Sequence, residues 1–352
     1  MYFIEEKIFN FKSIVICNIC QTKLTNSIIM DIIKFIIRFF LRFLFANEIK
    51  NVTEVEECFY RLSNHTSLLS TMSEPSISTT KHNPVLLWHG MGDSYNSHAM
   101  QCLANTIEKT HPGIEIHSIY IEEDGSDDKS ASVWGDALTQ IGKVCDQIKN
   151  LPYDEDTVFN GMGFSQGGLF IRSLVQTCDI KFNNVIAVGS PQNGFADLPE
   201  CEPDNMMCKT RNKLIKNSLY TDYMQNNNIQ AQYFRDVEQY DTYIEKSAYL
   251  KYVNNELFKD LLYYERLTAL NKFVMVLFDQ DETLVPKETA WFYDIDKVTG
   301  ELIPFNQTES YKDDLLGLRK LDEENKVDFL SIDDLHLRLS EDDVIYLAKT
   351  YL

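Results

Sequence analysis

The sequence is poor in positive charge, in histidine and in unbroken apolar runs, and each shortage excludes something. Lysine and arginine number 33 against 53 aspartates and glutamates, a formal charge of −20. So acidic a chain lacks the basic face that phosphate backbones require, which argues against nucleic acid as a partner. The apolar stretch Ile28 to Ala46 is interrupted by Asp31, Lys34, Arg38 and Arg42, more charge than a bilayer-spanning helix tolerates. No H-E-x-x-H, paired C-x-x-C, P-loop or G-x-G-x-x-G pattern occurs, so no metal and no cofactor is expected. No internal repeat is visible. With 44% apolar and 24% charged residues over 352 positions, the composition is that of a folded protein with ample core material.

Residues 1–46 read as a leader. Lys34, Arg38 and Arg42, spaced by four, form one stripe on a helix. A secretory signal or signal anchor is the favoured reading. An amphipathic membrane-surface helix and an untranslated leader ahead of Met30 are the others. This segment is therefore the candidate for membrane association. Three sequons support a secretory route and a lysosomal, vacuolar or extracellular destination: Asn51-Val-Thr, Asn64-His-Thr and Asn306-Gln-Thr. Cys17 and Cys20 fall in the leader and read as an accidental pair. Cys58, Cys102, Cys145, Cys178, Cys201 and Cys208 follow it, and a secreted chain is expected to oxidise some of them. Residues 47–82 are a polar linker, and the folded domain is expected over 83–352.

Within that domain six short apolar runs read as buried strands: Val85–His89, Glu115–Ile121, Thr157–Phe164, Asn184–Gly189, Phe273–Phe278 and Val327–Leu330. Helical patterns lie between them, over Ala99–Lys109 and Val133–Lys149, and at Ile171, Leu174, Val175 and Cys178. A final helix is expected over Glu341–Leu352, with Ser340 as its cap. Such alternation predicts an α/β fold with a mostly parallel sheet flanked by helices. Residues 195–271 break the pattern and read as a helical cap inserted between core strands. Aromatics there, Tyr263 and Tyr264 among them, either line an apolar groove or pack the cap onto the sheet.

The chemistry is carried by Gly163-Phe164-Ser165-Gln166-Gly167, a G-x-S-x-G motif between an expected strand and an expected helix. That setting places a serine on a tight turn at a helix N-terminus. A serine nucleophile needs a base, and the scarcity of histidine helps: of seven histidines only His336 follows Ser165. The orienting acid belongs after the preceding strand, where Asp279, Asp281 and Glu282 compete. Asp281, a few residues beyond the strand end, is favoured, Asp279 is second, and Glu282 reads as solvated. The oxyanion hole needs two N–H donors. Gln166 directly follows the nucleophile, and Met91 sits in the glycine-rich turn Trp88-His-Gly-Met-Gly-Asp-Ser94 after the first strand. His89 reads as a structural hydrogen-bonding residue.

That turn and Met162-Gly-Phe-Ser-Gln-Gly-Gly168 together resemble the lysosomal palmitoyl-protein thioesterases. So do Val188-Gly-Ser-Pro-Gln-Asn-Gly194, Lys272-Phe-Val-Met-Val276, Leu315-Leu-Gly-Leu-Arg-Lys-Leu321 and His336-Leu-Arg-Leu-Ser340. The resemblance runs from about residue 83 to the C-terminus. It implies an α/β-hydrolase that removes long-chain acyl groups from S-acylated cysteines of proteins or peptides during degradation. Ser165, Asp281 and His336 would be nucleophile, acid and base, and Met91 and Gln166 the oxyanion donors. It also implies disulfides Cys145–Cys178 and Cys201–Cys208, and leaves Cys58 and Cys102 without an obvious partner. The chain departs from the family around the acid, where Gln280-Asp281-Glu282 is more negative than usual, and slightly at Gly189-Ser190-Pro191. An oxyester lipase or esterase, an acyl-CoA thioesterase and an inactive lipid binder are the competing readings.

Overall fold

The computed structural model describes residues 82–199, 201 and 204–352. The leader, most of the linker, Cys17, Cys20, Cys58 and the sequons at Asn51 and Asn64 lie outside them.

The alternation expected from the sequence is present. In chain order come β1 (Val85–Trp88), α1 (His98–Thr110), β2 (Ile116–Ser118), α2 (Gly125–Ala131), α3 (Ala137–Lys149), β3 (Val158–Phe164), α4 (Gln166–Thr177) and β4 (Lys181–Val188). The segment before β5 (Lys272–Phe278) is helical: α5 (Met206–Ser218), α6 (Asp222–Asn227), α7 (Ile229–Gln232), α8 (Tyr240–Lys246), α9 (Leu250–Val253) and α10 (Leu261–Thr268). Then follow the short ladder β6 (Asp294–Ile295) with β7 (Leu302–Ile303), helices α11 (Glu309–Lys312) and α12 (Leu318–Glu323), edge strand β8 (Val327–Ile332) and α13 (Glu341–Tyr351). Among the described residues the main sheet has six strands in the order β2-β1-β3-β4-β5-β8, every pair parallel.

The strands read as continuous apolar runs because both faces of the sheet are covered. Alternate side chains enter different cores. Leu86, Trp88, Val185, Ala187, Phe273 and Met275 pack with α3, α4 and part of the helical segment. Val85, Leu87, Ile186, Val188, Val274 and Val276 pack with α1 and α13, through Met100, Leu103 and Ile107 and through Val344 and Leu347. Caps set the helix starts. Ser97 accepts from the Met100 N–H at α1, and Ser340 and Asp343 form a reciprocal capping box at α13. The helix expected from Val133 begins only at Ala137, because Gly135 takes a positive φ of 143° and Asp136 becomes the cap. Tyr264 is a packing residue: its hydroxyl donates to Asp314 at 2.8 Å and its ring lies against Gly317.

Disulfides join Cys145 to Cys178 and Cys201 to Cys208. The first ties α3 to the end of α4. Its closed loop, with a sequence separation of 33, is worth about 4 kcal/mol by chain entropy. Cys102 is disulfide-bonded as well. No helix among the described residues is long and apolar enough to cross a membrane.

Helix α4 is buried from Gln166 to Gln176, and at its centre lies a guanidinium. Arg172 is fully buried and faces neutral acceptors: Gln192 Oε1 and its carbonyl at 2.8 and 3.1 Å, Gln176 Oε1 at 3.0 Å, the Val253 carbonyl at 3.1 Å and Asn254 Oδ1 at 2.7 Å. Phe292 stacks on it at 5.2 Å. Burial pulls it down to about 10, so it stays charged at neutral pH. It fastens α4 to the loop after β4 and to the end of α9. Arg172→Met leaves these acceptors unsatisfied and is expected to cost about 3 kcal/mol or more. Lysine, with no planar fork, is expected to restore little. Urea unfolding midpoints of the two variants check this.

Candidate active site

The C-terminal edge of a parallel sheet is where loops from non-adjacent segments converge. Five strands end there together: the ladder pairs Trp88 with Gly163, Phe164 with Val188, and Phe278 with Ile332. Ser165 comes directly after β3. It has φ 51° and ψ −122°, a strained conformation for a non-glycine residue. Its N–H still donates to the Val188 carbonyl at 2.8 Å, so the ladder holds the turn in place. The flanking glycines follow from close approach. A Cβ at Gly163 would overlap the backbone of Gly167, and one at Gly167 would overlap the carbonyls of Trp88 and His89. Only bare backbone lets β1, the turn and α4 meet this closely.

The structure brings Ser165, His336 and Asp281 into one line. His336 Nε2 lies 3.1 Å from Ser165 Oγ, and His336 Nδ1 lies 2.5 Å from Asp281 Oδ2. The Asp281 side chain is 2% exposed and that of His336 15%. The other Asp281 oxygen accepts the N–H groups of Thr283 at 2.8 Å and Leu284 at 3.0 Å, which fixes the carboxylate plane. Asp279 and Glu282 are exposed. The loops carrying Asp281 and His336 are pinned to each other: the Gln280 N–H donates to the Asp334 carbonyl at 3.0 Å and its side chain to Asp333 at 3.0 Å.

Gln166 follows the serine directly, and the turn that carries Met91 approaches it through Gly90. Gly90 stands so near Ser165 that an added Cβ would be 3.3 Å from the serine Cβ. Neither the Met91 nor the Gln166 N–H is taken up by a loop or side-chain acceptor among the described residues. A support beneath them was not legible in the sequence. Ser132 Oγ accepts the Gly92 N–H at 2.8 Å, while its carbonyl accepts Gln166 Nε2 at 3.0 Å and Gln230 Nε2 at 3.0 Å. Gln166 Oε1 in turn accepts from Gln230 at 2.8 Å and from the Tyr233 hydroxyl at 3.0 Å. One buried serine thus spaces the Met91 turn from Gln166.

His89 is also structural. Its ring sits between the Gly90 carbonyl at 2.9 Å and Asp128 Oδ2 at 3.0 Å. Asp128 is fully buried and accepts the N–H groups of Tyr95 at 2.9 Å and Ile121 at 2.7 Å. Burial pushes its carboxyl up, but the hydrogen bonds from His89, Ile121 and Tyr95 outweigh this and hold it below the ordinary carboxylate value. Among the described residues no cluster of three or more His, Cys, Asp or Glu is placed to hold a metal. Of the sequons, Asn306 lies in a 3-10 turn with its side chain exposed, while Thr308 is buried as the cap of α11.

Known proteins share this arrangement of sequence. The profile of the family described as palmitoyl protein thioesterase matches residues 84–336. Palmitoyl-protein thioesterase 1 of Caenorhabditis elegans is 33% identical over 275 residues, 77% of this chain and 92% of the relative. Palmitoyl-protein thioesterase 3 of Dictyostelium discoideum is 30% identical over 284 residues, 78% of this chain and 92% of the relative. A palmitoyl-protein thioesterase–dolichyl pyrophosphate phosphatase fusion of Schizosaccharomyces pombe is 34% identical over 275 residues, 76% of this chain and 43% of that longer protein. The chain belongs to the palmitoyl protein thioesterase family and is an α/β-hydrolase.

Proposed function

We propose that the protein hydrolyses long-chain acyl thioesters of S-acylated proteins or peptides through an acyl-enzyme on Ser165. The observation that carries this is the unbroken line from Ser165 Oγ through His336 to Asp281, in a chain of this family. His336 Nε2 takes the hydroxyl proton as the serine oxygen attacks the thioester carbonyl. The N–H groups of Met91 and Gln166 hold the oxyanion, and Asp281 keeps the imidazole in its working tautomer. The thiol leaves with the proton from His336. Water, activated by the same base, then releases the fatty acid and frees the serine. Residues 195–271 act as a cap, since Gln230 and Tyr233 reach from it to Gln166. The disulfides fit an oxidising compartment, a secretory or lysosomal lumen.

Hydrolysis of a palmitoyl-cysteine peptide, beside an oxyester of the same chain length, tests the reading. Turnover of the thioester is expected, and turnover of the oxyester alone would assign an esterase instead. Ser165→Ala is expected to lower kcat by about 10⁶-fold and Asp281→Asn by about 10⁴-fold, whereas Asp279→Asn stays near wild type. Steady-state kinetics of the three variants separates the two candidate acids.

Asp128 supplies a pH signature. Its folded carboxyl titrates below the unfolded value of about 3.9. Its contribution to stability is therefore present above about pH 4 and is lost as pH falls through the lowered folded value. Asp128→Asn is expected to unfold at lower temperature than wild type at pH 7, with the gap closing below about pH 4. Thermal melts of both proteins across that range check the sign.

A further inference from the structure

The two N–H groups assigned to the oxyanion differ in how they are held. That of Gln166 belongs to the first residue of α4, a helix buried from Gln166 to Gln176. That of Met91 belongs to the loop between β1 and α1, outside any regular element. A donor is effective when it is fixed before charge develops. Something other than secondary structure therefore has to hold the Met91 peptide.

The peptide bond from Gly90 to Met91 is trans, so its C=O and N–H point in opposite directions from one rigid plane. Whatever fixes the Gly90 carbonyl therefore aims the Met91 N–H. That carbonyl accepts from His89 Nδ1 at 2.9 Å and, at the longer distance of 3.4 Å, from the Asp93 N–H. On the other side of the plane, the Met91 N–H meets no loop or side-chain acceptor among the described residues, and Gly90 lies against Ser165. His89 is buried, and its second nitrogen, Nε2, lies 3.0 Å from Asp128 Oδ2. Asp128 belongs to α2. Ser132, which accepts the Gly92 N–H at 2.8 Å, caps the end of the same helix one turn later. One short helix thus sets two consecutive peptide planes of the turn, the first through His89 and the second directly.

We propose that His89 is a positioning residue for the acyl transfer: its Nδ1–H holds the Gly90 carbonyl, so that the Met91 N–H on the same plane faces the developing oxyanion. A carbonyl only accepts, so Nδ1 is the protonated nitrogen of this contact. Asp128, beside Nε2, fixes which edge of the ring faces the turn. The proposal rests on the roles proposed above for Ser165 and Met91.

Two substitutions separate the two contacts of the ring. Asparagine puts an amide N–H in the place of Nδ1 and is too short to reach Asp128. Glutamine puts one in the place of Nε2 and gives up the Gly90 carbonyl. In the full chain, acting on a palmitoyl-cysteine peptide, His89→Gln is expected to lower kcat by at least about tenfold with little change in KM. His89→Asn is expected to recover most of that loss. Melting temperatures are expected to run the other way, because His89→Asn leaves the buried Asp128 carboxylate without its ring partner. Affinity for a long-chain trifluoromethyl ketone, whose adduct on a serine carries an oxyanion, is expected to fall with kcat in His89→Gln. Activities that follow the order of the melting temperatures overturn the proposal, and so does a loss in His89→Gln confined to KM. A further readout needs no variant: NMR of wild type carrying isotope-labelled histidine is expected to show the proton on His89 Nδ1, and a bare Nδ1 overturns the proposal. Failure of the thioesterase reading looks different: wild type turns over only the oxyester, and the two variants keep their order on that substrate.

Discussion

The structure depends on one close contact between backbones. At Gly163 and Gly167 the turn after β3 passes so near β1 and the start of α4 that no side chain fits. This packing forces Ser165 into its strained conformation and aims its hydroxyl out of the sheet edge. It also sets where the Gly90–Gly92 turn sits, since that turn lies against Ser165. The strain costs about 1–3 kcal/mol. It is offset by the ladder bond from Ser165 to Val188 and by the burial of nearly all of α4.

Around that contact the site is held by supports of different kinds. Backbone amides hold the Asp281 carboxylate, and the Gln280–Asp334 bond keeps the Asp281 and His336 loops at a fixed spacing. On the opposite side, Ser132 and the Gln166–Gln230–Tyr233 cluster hold the turn that carries Met91 and the start of α4. None of these bonds uses Ser165 Oγ or the His336 ring.

Much of this was legible in the sequence, for identifiable reasons. The core strands stood out because both sheet faces are buried, which leaves β1, β5 and the second half of β4 almost free of polar residues. Ser165, His336 and Asp281 were legible through a local motif, a scarcity of histidine and a position just past a strand end. The supports were not. Asp128 meets His89, and Ser132 meets Gly92, across separations that carry no periodic signal. The stretch between β5 and β8 carries no periodic signal because its elements, from the 3-10 turn at Lys287–Trp291 to the two-residue strands, are too short to show a pattern. Nothing in the sequence marks Arg172, and only the packing reveals a buried guanidinium.

The central claim is that Ser165 carries the acyl group. The direct measurement is mass spectrometry of the enzyme mixed with a palmitoyl thioester and quenched in acid before turnover is complete. The account predicts a palmitoyl adduct confined to the peptide containing Ser165 and removed by alkaline hydroxylamine. Turnover with no adduct at any time, or with the adduct on another residue, would contradict it.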